Sequence, residues 1–313
     1  MEHPRPRGRG PGNQPGQGRT GAKDRQRIRG LPVGRKEEGK MAHGITYYRR
    51  GAGTTQVSGD IAEIMTNWQG PRECWMFVSA HDDDIVTGAG LTFQAALAEG
   101  VQVHAVVTTD GRMGYCKFTQ RRSISDIRRS EAEHSFQILG LPMEHLHFLH
   151  FPDCNLNPYR GRHFATIGDP TEVEGASGLQ NAFPHILRLI RPTRVFLPTI
   201  SDLHPDHRIV NEEMLISLFH AQGNIWPELG PPIEAVPAVY EYATYCDFPA
   251  PPQLRITTPP SMLETKLEAI RAYASQEQID VLIEVQRNAG PQEYIREVEF
   301  NFYSPKQYEK LFI

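Results

Sequence analysis

Residues 74–108 read CWMFVSAHDDDIVTGAGLTFQAALAEGVQVHAVVT. The apolar run at residues 74–78 is typical of a strand that is buried on both faces of a sheet. Residues 85–99 carry the pattern of an amphipathic helix, which we expect to end at Gly100. A second apolar run, rich in valine, occupies residues 101–108. A strand, a helix and a second strand in this order predict a β–α–β unit with parallel strands.

The same alternation of strands and helices continues along the chain. Further strands are predicted at residues 145–149, 194–197 and 239–245, and further helices at residues 124–139, 182–190 and 205–220. Ser261-Met-Leu-Glu264 is typical of a capping box that starts another helix, and residues 294–313 are predicted as a strand and a short helix. The fold class is therefore α/β, a Rossmann-like, mainly parallel sheet with helices on both faces, in a single domain with a C-terminal extension.

The first forty residues differ in composition from the rest of the chain. They contain 11 Lys and Arg, 4 Asp and Glu, nine Gly and five Pro, but only five apolar residues. Such a segment buries too little surface to offset the entropy of ordering, so residues 1–40 are predicted to be a disordered, basic Gly/Arg-rich tail. Three interpretations stay open: an arm that contacts RNA or another polyanion, a solvated tail, or an over-long reading frame that should start at Met41. The lack of aromatic residues that could stack on bases favours the last two.

The remaining residues divide into three predicted parts. Residues 41–71 are a lead-in, residues 72–250 a catalytic α/β domain, and residues 251–313 an extension packed on the same domain. Outside the tail the net charge is −11, which argues against nucleic-acid binding. A small molecule is the expected partner, for the reasons given below, and the sequence leaves open whether the chain forms a homo-oligomer.

Several classes of protein have no support in the sequence. No stretch reaches the ~18 consecutive apolar residues of a membrane-spanning helix, and no secretory signal is recognised. The cysteines form no C-x-x-C pair, which argues against a disulfide framework and fits a reducing cytoplasm; they are Cys74, Cys116, Cys154 and Cys246. The motifs of serine hydrolases, P-loop NTPases and dinucleotide-binding enzymes are absent from the sequence.

Two polar loops follow predicted strands. Ala80-His-Asp-Asp-Asp84 follows the first strand, and Ser201-Asp-Leu-His-Pro-Asp-His207 follows the strand at residues 194–197. Ligands in such sheets bind beyond the carboxyl ends of the strands, so both loops are expected at one edge. Clustered carboxylates favour the binding of a cation, and imidazole together with carboxylate is a ligand set typical of zinc or another first-row divalent metal. The alternative is an ordinary helix N-terminus beside a surface loop.

The spacing within each loop favours a shared metal site. His81 and Asp84 are three residues apart, so one tight turn can direct both at a single point and leave Asp83 free to act as a base. His204 and His207 are also three residues apart, across a helix start at which Pro205 suits the first helical position. Two ligands from one loop and a third from the other leave coordination positions open for water and substrate.

The motifs His81-x-Asp83-Asp84 and His204-Pro-Asp-His207 resemble those of the PIG-L/LmbE-like deacetylases. These are zinc enzymes that remove acetyl groups from N-acetylglucosamine-containing compounds. The resemblance covers roughly residues 72–250 and extends to Thr108-Thr-Asp-Gly111, Arg128-x-x-Glu131 and Phe151-Pro-Asp153. This chain departs from the family at Asp82, usually proline, and at Ile85, usually acidic. It also has Asp202 where some relatives carry a mobile tyrosine.

The resemblance implies a role for each matching residue. It makes His81, Asp84 and His207 the ligands of one Zn²⁺ per chain, Asp83 the general base, and His204 the group that stabilises the oxyanion and protonates the leaving amine. Asp206 would orient and tune His204, and Arg128 and Asp153 would hold the sugar or its attached group. From their position after the second strand, Asp110 and Arg112 are further candidates for lining the pocket.

The predicted function is zinc-dependent removal of an acetyl group from an N-acetylated amino sugar or its conjugate, by metal-activated water with an aspartate base. Three alternatives stay open. The chain could hydrolyse another N-acyl conjugate, or it could be a non-haem iron oxygenase, since two histidines and a carboxylate also form that iron site. It could also be a catalytically silent sugar-binding module, although Asp83 and His204 argue against this because a binder needs no base beside its metal.

Overall fold

The computed structural model describes residues 43–312 of the chain. The predicted disordered tail, residues 1–40, lies outside the described residues. The strands are β1 Thr46–Arg50, β2 Thr55–Ser58, β3 Cys74–Ser79, β4 Gln102–Thr109, β5 Leu146–Phe151, β6 His163–Phe164, β7 Ala176–Ser177, β8 Arg194–Pro198, β9 Ala238–Tyr242, β10 Leu254–Thr257 and β11 Gln292–Val298. The α-helices are α1 Ile61–Ile64, α2 Asp84–Ala98, α3 Ile124–Ile138, α4 Leu179–Ile190, α5 Pro205–Gln222, α6 Pro260–Arg271 and α7 Ile279–Ala289.

Nine of these strands form one mixed sheet in the order β2-β1-β10-β11-β9-β8-β3-β4-β5. The five strands from β9 to β5 pair in parallel, whereas β11, β10, β1 and β2 add to β9 in antiparallel fashion. The predicted α/β fold with a mainly parallel core is therefore confirmed. The antiparallel strands come from the predicted lead-in and C-terminal extension, which both contribute to this sheet.

Helices cover both faces of the sheet, and alternate residues of β3 point into the two resulting cores. Trp75 and Phe77 pack with residues of α2, α3 and α6, while Met76 and Val78 pack with residues of α4 and α5. All six residues of β3 are buried, as expected of a central parallel strand. The ring of Phe77 stacks on that of Phe196 in β8, with centroids 4.3 Å apart. This packing fixes the relative position of the two strands that lead into the polar loops.

Local predictions for the C-terminal part are only partly correct. The predicted capping box at Ser261 is wrong, because α6 already begins at Pro260. The N-cap position is Pro259, whose side chain makes no capping hydrogen bond. Proline suits the first helical turn, so the helix starts before the serine could cap it. Helix α7 was not predicted. The tail contains the strand β11 and a 3₁₀ helix at Pro305–Leu311, as the sequence suggested.

The chain reverses its direction of winding across the sheet at β3. It passes from β3 through α2 to β4 on one side, and later returns to place β8 on the other side of β3. Ligands of open α/β sheets bind at such a point, beyond the carboxyl ends of the strands. Both polar loops, at residues 80–84 and 199–204, begin there.

Two predictions about the chain as a whole can be compared with the structure. All four cysteines lie within the described residues and are free thiols. Among residues 43–312, no helix is both long enough and apolar enough to cross a membrane.

Candidate metal centre

The loop after β3 folds back so that its first and last polar residues meet. Asp84 is the first residue of α2 and is fully buried, and its Oδ2 accepts a hydrogen bond of 2.7 Å from the backbone N–H of His81. The positive end of the α2 dipole favours a carboxylate at this point. Asp83, at the N-terminal boundary of α2, makes no side-chain capping hydrogen bond. Its carboxylate is therefore not occupied by a capping role.

Three ligand atoms from the two loops form a nearly equilateral triangle. Asp84 Oδ2 lies 3.4 Å from His81 Nδ1 and 3.2 Å from His207 Nε2, and the two nitrogens are 3.2 Å apart. In a tetrahedral zinc site with bonds of about 2.0–2.1 Å, neighbouring ligand atoms are about 3.3–3.4 Å apart. The second oxygen of Asp84, Oδ1, is buried without a hydrogen-bond partner among the described residues. The donor set and its spacing therefore fit a zinc ion.

The charges in this triangle favour a cation. Burial alone would raise the pKa of Asp84, but His207 and His81 hold it well below its usual range. Burial would likewise lower the pKa of His81, yet the Asp84 charge and the carboxylates of Asp153 and Asp206 raise it well above the usual value. The carboxylates thus stabilise positive charge at this point, whether a proton or a metal ion supplies it.

Two carboxylates behind His81 fix the orientation of its ring. Nε2 of His81 lies 3.1 Å from Asp153 Oδ1 and 3.7 Å from Asp206 Oδ2. Burial would raise the pKa of Asp153, but hydrogen bonding with His81 and the charge of that ring lower it to about 2. The other oxygen of Asp153 accepts a 3.0 Å hydrogen bond from Met113 N. A carboxylate on the second nitrogen of a ligand histidine is the usual support of a metal site.

His204 stands beside the triangle at the start of α5. Its ring centroid is 4.5 Å from that of His81, and the two rings are nearly perpendicular. Its Nδ1 accepts a 3.3 Å hydrogen bond from the backbone N–H of Asp206. Burial, together with His81 and His207, lowers the pKa of His204. The ring is therefore held as the neutral tautomer that carries its proton on Nε2.

The contact between Asp206 and His204 differs from the one expected. The resemblance implies that Asp206 orients and tunes His204, and a carboxylate that accepts a hydrogen bond from the ring would do so by favouring the imidazolium form. In the structure the backbone amide makes that contact, and the carboxylate accepts a 2.7 Å hydrogen bond from Cys154 N and faces His81 instead. Asp206 therefore orients His204 through its backbone and does not favour the imidazolium form through a carboxylate–imidazole hydrogen bond.

Arg128 is engaged by the metal loop itself. This side chain, 5% exposed, donates from Nε to both carboxylate oxygens of Asp82 at 2.9 Å. Its Nη2 also contacts Asp82 and lies 3.2 Å from Asp83 Oδ1. The hydroxyl of Tyr273 donates a 2.6 Å hydrogen bond to the backbone carbonyl of Asp82. Arg128 was predicted to hold substrate; its contacts in the structure brace the loop that carries His81 and Asp83.

The remaining predicted residues lie beyond β4. Arg112 is about half exposed and forms an ion pair with Asp110. Asp110 lines a cavity of about 70 Å³ next to Asp82, together with Thr109, Ser125, Asp126, Arg129, Phe148 and His150. Asp110 thus borders the metal loop, and Arg112 lies on the solvent side of it.

Sequence reasoning missed two residues that contact His207. Asp202 Oδ2 lies 3.2 Å from His207 Nδ1. The ring of Tyr245 lies nearly parallel to that of His207, at 15° and a centroid distance of 5.2 Å. Tyr245 was placed inside a predicted strand at residues 239–245, but β9 ends at Tyr242. The only sequence indication for either residue was its position after a strand at the same edge of the sheet.

Comparisons with known proteins agree with this fold. The solved structures similar to the chain include a conserved protein from Thermus thermophilus (23% identity, 74% of this chain and 97% of the other, TM-score 0.56). They also include the N,N'-diacetylchitobiose deacetylase of Pyrococcus horikoshii (24% identity, 79% of this chain and 92% of the other, TM-score 0.60). A third is the 4-carboxy-2-hydroxymuconate hydratase of Pseudomonas putida (21% identity, 74% of this chain and 98% of the other, TM-score 0.55). At these identities the likeness concerns the fold alone. No curated protein matches the chain.

A family model confirms the resemblance seen in the two motifs. The match covers residues 76–216, a segment that contains the whole donor triangle together with Asp83 and His204. The family is described as PIG-L: GlcNAc-PI de-N-acetylase. Residues 76–216 of this chain therefore match the model of the PIG-L family.

Proposed function

We propose that this chain is a zinc-dependent deacetylase that hydrolyses the N-acetyl group of an amino sugar or sugar conjugate. The observation that carries the proposal is the triangle of His81, Asp84 and His207, with a carboxylate and a second imidazole beside it. The PIG-L match over residues 76–216 supports the same reaction class. The N,N'-diacetylchitobiose deacetylase with a similar fold is consistent with an N-acetylated sugar as substrate.

In this proposal the residues divide the work of amide hydrolysis. His81, Asp84 and His207 would hold the ion, which when bound polarises a carbonyl group and lowers the pKa of water. Asp83 accepts the proton of the attacking water, a general-base contribution of about 10²–10⁴-fold. Arg128 orients the Asp83 carboxylate from a distance of 3.2 Å.

His204 supplies a hydrogen-bond donor beside the proposed metal position. Because the Asp206 N–H occupies Nδ1, the proton of the neutral ring is on Nε2. A donor held in this way can stabilise negative charge on the carbonyl oxygen as the tetrahedral centre forms. The departing amine then takes the proton that Asp83 has accepted from the water, and His204 keeps its own proton on Nε2.

The central test measures zinc content and acetate release in two variants. Asp83→Ala is expected to bind zinc normally and to release no acetate, because it lacks only the base. His207→Ala is expected to lose zinc, because one of three ligands is gone. Arg287→Ala, an exposed residue on α7 that pairs with Glu264, is a control that keeps both properties. Normal zinc content with a normal rate in His207→Ala would contradict the ligand assignment.

A panel of N-acetylglucosamine conjugates, assayed with and without a chelator, tests the substrate class. Acetate release that stops with the chelator and returns with zinc supports the proposal. Release of a different carboxylic acid would indicate an amidase for another acyl group. Iron in the purified protein together with oxygen uptake would indicate an oxygenase. Product analysis is needed because a hydratase also has this fold.

A further inference from the structure

Asp202 lies under the metal centre and contacts three parts of it. This residue follows β8 and is 1% exposed. Its Oδ1 accepts a 3.0 Å hydrogen bond from the backbone N–H of His204. Its Oδ2 lies 3.2 Å from Nδ1 of His207 and accepts a 3.2 Å hydrogen bond from the backbone N–H of Tyr245. The buried carboxylate of Asp202 therefore contacts the candidate ligand His207, the backbone of His204 and the loop after β9 that contains Tyr245.

We propose that Asp202 is the positioning residue of the metal centre, which fixes the tautomer of His207 and holds Tyr245 against its ring. The inference rests on the proposed site at His81, Asp84 and His207, and adds a function for a residue outside it. Asp202 lies outside the two motifs that carry the resemblance, His81-x-Asp83-Asp84 and His204-Pro-Asp-His207. Its role follows from its contacts alone.

The chemistry of Asp202 and His207 determines which nitrogen of the imidazole carries the proton. An ionised carboxylate only accepts hydrogen bonds, and a neutral imidazole has one N–H and one lone pair. Asp202 faces Nδ1 of His207, so the proton belongs on Nδ1 and the lone pair on Nε2. Nε2 is the atom that completes the triangle with Asp84 and His81. Nδ1 has no hydrogen-bond partner among residues 43–312, so Asp202 acts on it as a buried charge 3.2 Å away.

The opposite tautomer would be costly at this position. It would place a lone pair of His207 against a carboxylate where both side chains are fully buried. It would also put a proton on the nitrogen that faces Asp84 and the proposed metal position. Removing a carboxylate that supports a ligand histidine typically lowers metal affinity 10–100-fold.

The link to Tyr245 extends the effect to a second loop. Tyr245 is 61% exposed, whereas His207 is fully buried beneath its ring. The aromatic ring thus covers one face of the ligand and turns its own outer face to solvent. Because Asp202 accepts from the Tyr245 amide, it holds this cover in register with the ligand.

The test compares zinc affinity of Asp202→Asn with that of the unaltered protein, by competition with a chromophoric chelator. An asparagine side chain has no charge and can present an N–H to Nδ1, which favours the opposite tautomer of His207. We expect a 10–100-fold weaker zinc affinity and an altered absorption spectrum of the Co²⁺-substituted protein. Asp202→Glu retains the charge and is expected to recover part of the affinity.

The matched control is Asp247→Asn, in the same loop as Tyr245. Asp247 is exposed, and its carboxylate accepts a hydrogen bond from the backbone N–H of Phe248 and from no other group in the described part of the chain. We expect its zinc affinity and Co²⁺ spectrum to equal those of the unaltered protein. Zinc affinity within two-fold of that value in Asp202→Asn would overturn the role of Asp202.

Two further outcomes separate this inference from the proposed function. If Asp202→Asn does not fold, Tyr245→Ala provides a second measurement, because it removes only the cover and should weaken zinc binding less than tenfold while altering the Co²⁺ spectrum. An unchanged spectrum there would contradict the proposed link between the loops. Tight zinc binding without acetate release from any substrate would overturn the deacetylase function, but the comparison of zinc affinities would stay valid. Absence of zinc binding in the unaltered protein would overturn both the deacetylase function and the role of Asp202.

Discussion

The ion pair between Arg128 and Asp82 allows a quantitative test of how the metal loop is held. Both residues are 5% exposed, and the pair includes two contacts of 2.9 Å. Arg128→Met keeps most of the side-chain volume but leaves Asp82 as a buried carboxylate without its cation. Removal of one partner from a buried pair typically costs about 3–5 kcal/mol of unfolding free energy. With an m-value of about 3 kcal/mol/M, the urea midpoint is expected to fall by about 1–1.7 M.

The other members of the double-mutant cycle should behave differently. In Asp82→Ala the guanidinium keeps Asp83 as a partner at 3.2 Å, so we expect a smaller loss of about 1.5–3 kcal/mol. The double variant contains neither the arginine nor the buried carboxylate of the pair. Its unfolding free energy should therefore lie above that of Arg128→Met, which gives a coupling energy of about 2–4 kcal/mol.

Urea unfolding followed by circular dichroism, in chelator-treated and zinc-saturated protein, measures these values. The matched control is Arg129→Met, the next residue on α3, whose exposed side chain pairs with Glu133 at 3.1 Å. Surface pairs contribute little, so this change should remain within about 0.5 kcal/mol. A loss below about 1 kcal/mol in Arg128→Met, or losses that simply add in the double variant, would refute the argument.

Three further predictions concern single residues. His204→Ala should retain zinc and lose about 10²–10³-fold in kcat, because it removes a donor to the developing negative charge; an unchanged kcat would exclude this role. Burial, with His145 and His147 nearby, lowers the pKa of His104 from the usual 6.5 to about 4. As the pH falls, His104 is therefore protonated in the unfolded chain before it is protonated in the folded one. Stability should therefore fall as the pH decreases from about 6.5 to 4, and His104→Gln should flatten this decrease in urea titrations at several pH values. Ser261→Ala should change the unfolding free energy by less than about 0.5 kcal/mol, since Ser261 lies inside α6 and not at its cap; a loss above about 1 kcal/mol would restore the capping box.

The parallel core could be predicted because its strands are buried on both faces. A strand such as β3, with all six residues buried, is apolar along its whole length and stands out from the helices around it. The antiparallel edge gives no such pattern. β10 has only four residues, of which alternate ones are buried, and its strand conformation is completed by pairing with β1 and β11. The pairing of β10 with β1 joins residues about 200 positions apart in the chain, so local sequence contains little information about it.

The candidate site was predictable to the extent that its geometry is local. The three-residue spacing between His81 and Asp84 sets their approach, and the two loops meet because the strands before them are parallel neighbours. The partners of these residues depend on tertiary structure: Asp82 and Arg128 are 46 positions apart, and Asp202 and Tyr245 are 43 apart. Even the contact between Asp206 and His204 depends on backbone angles at the start of α5, which decide whether the amide or the carboxylate faces the ring.

The two departures from the family motif in the first loop can now be explained by where their side chains lie. Asp82 stands in place of the usual proline, but its carboxylate is paired with Arg128 and so takes no part in the donor triangle. Ile85 stands in place of the usual acidic residue and is fully buried in the core that contains Trp75 and Phe77. A carboxylate at position 85 would need a buried partner, whereas an isoleucine needs only the packing that this core provides. Both changes are therefore accommodated outside the triangle, so this chain retains the proposed ligand set while altering the residues that hold the loop in place.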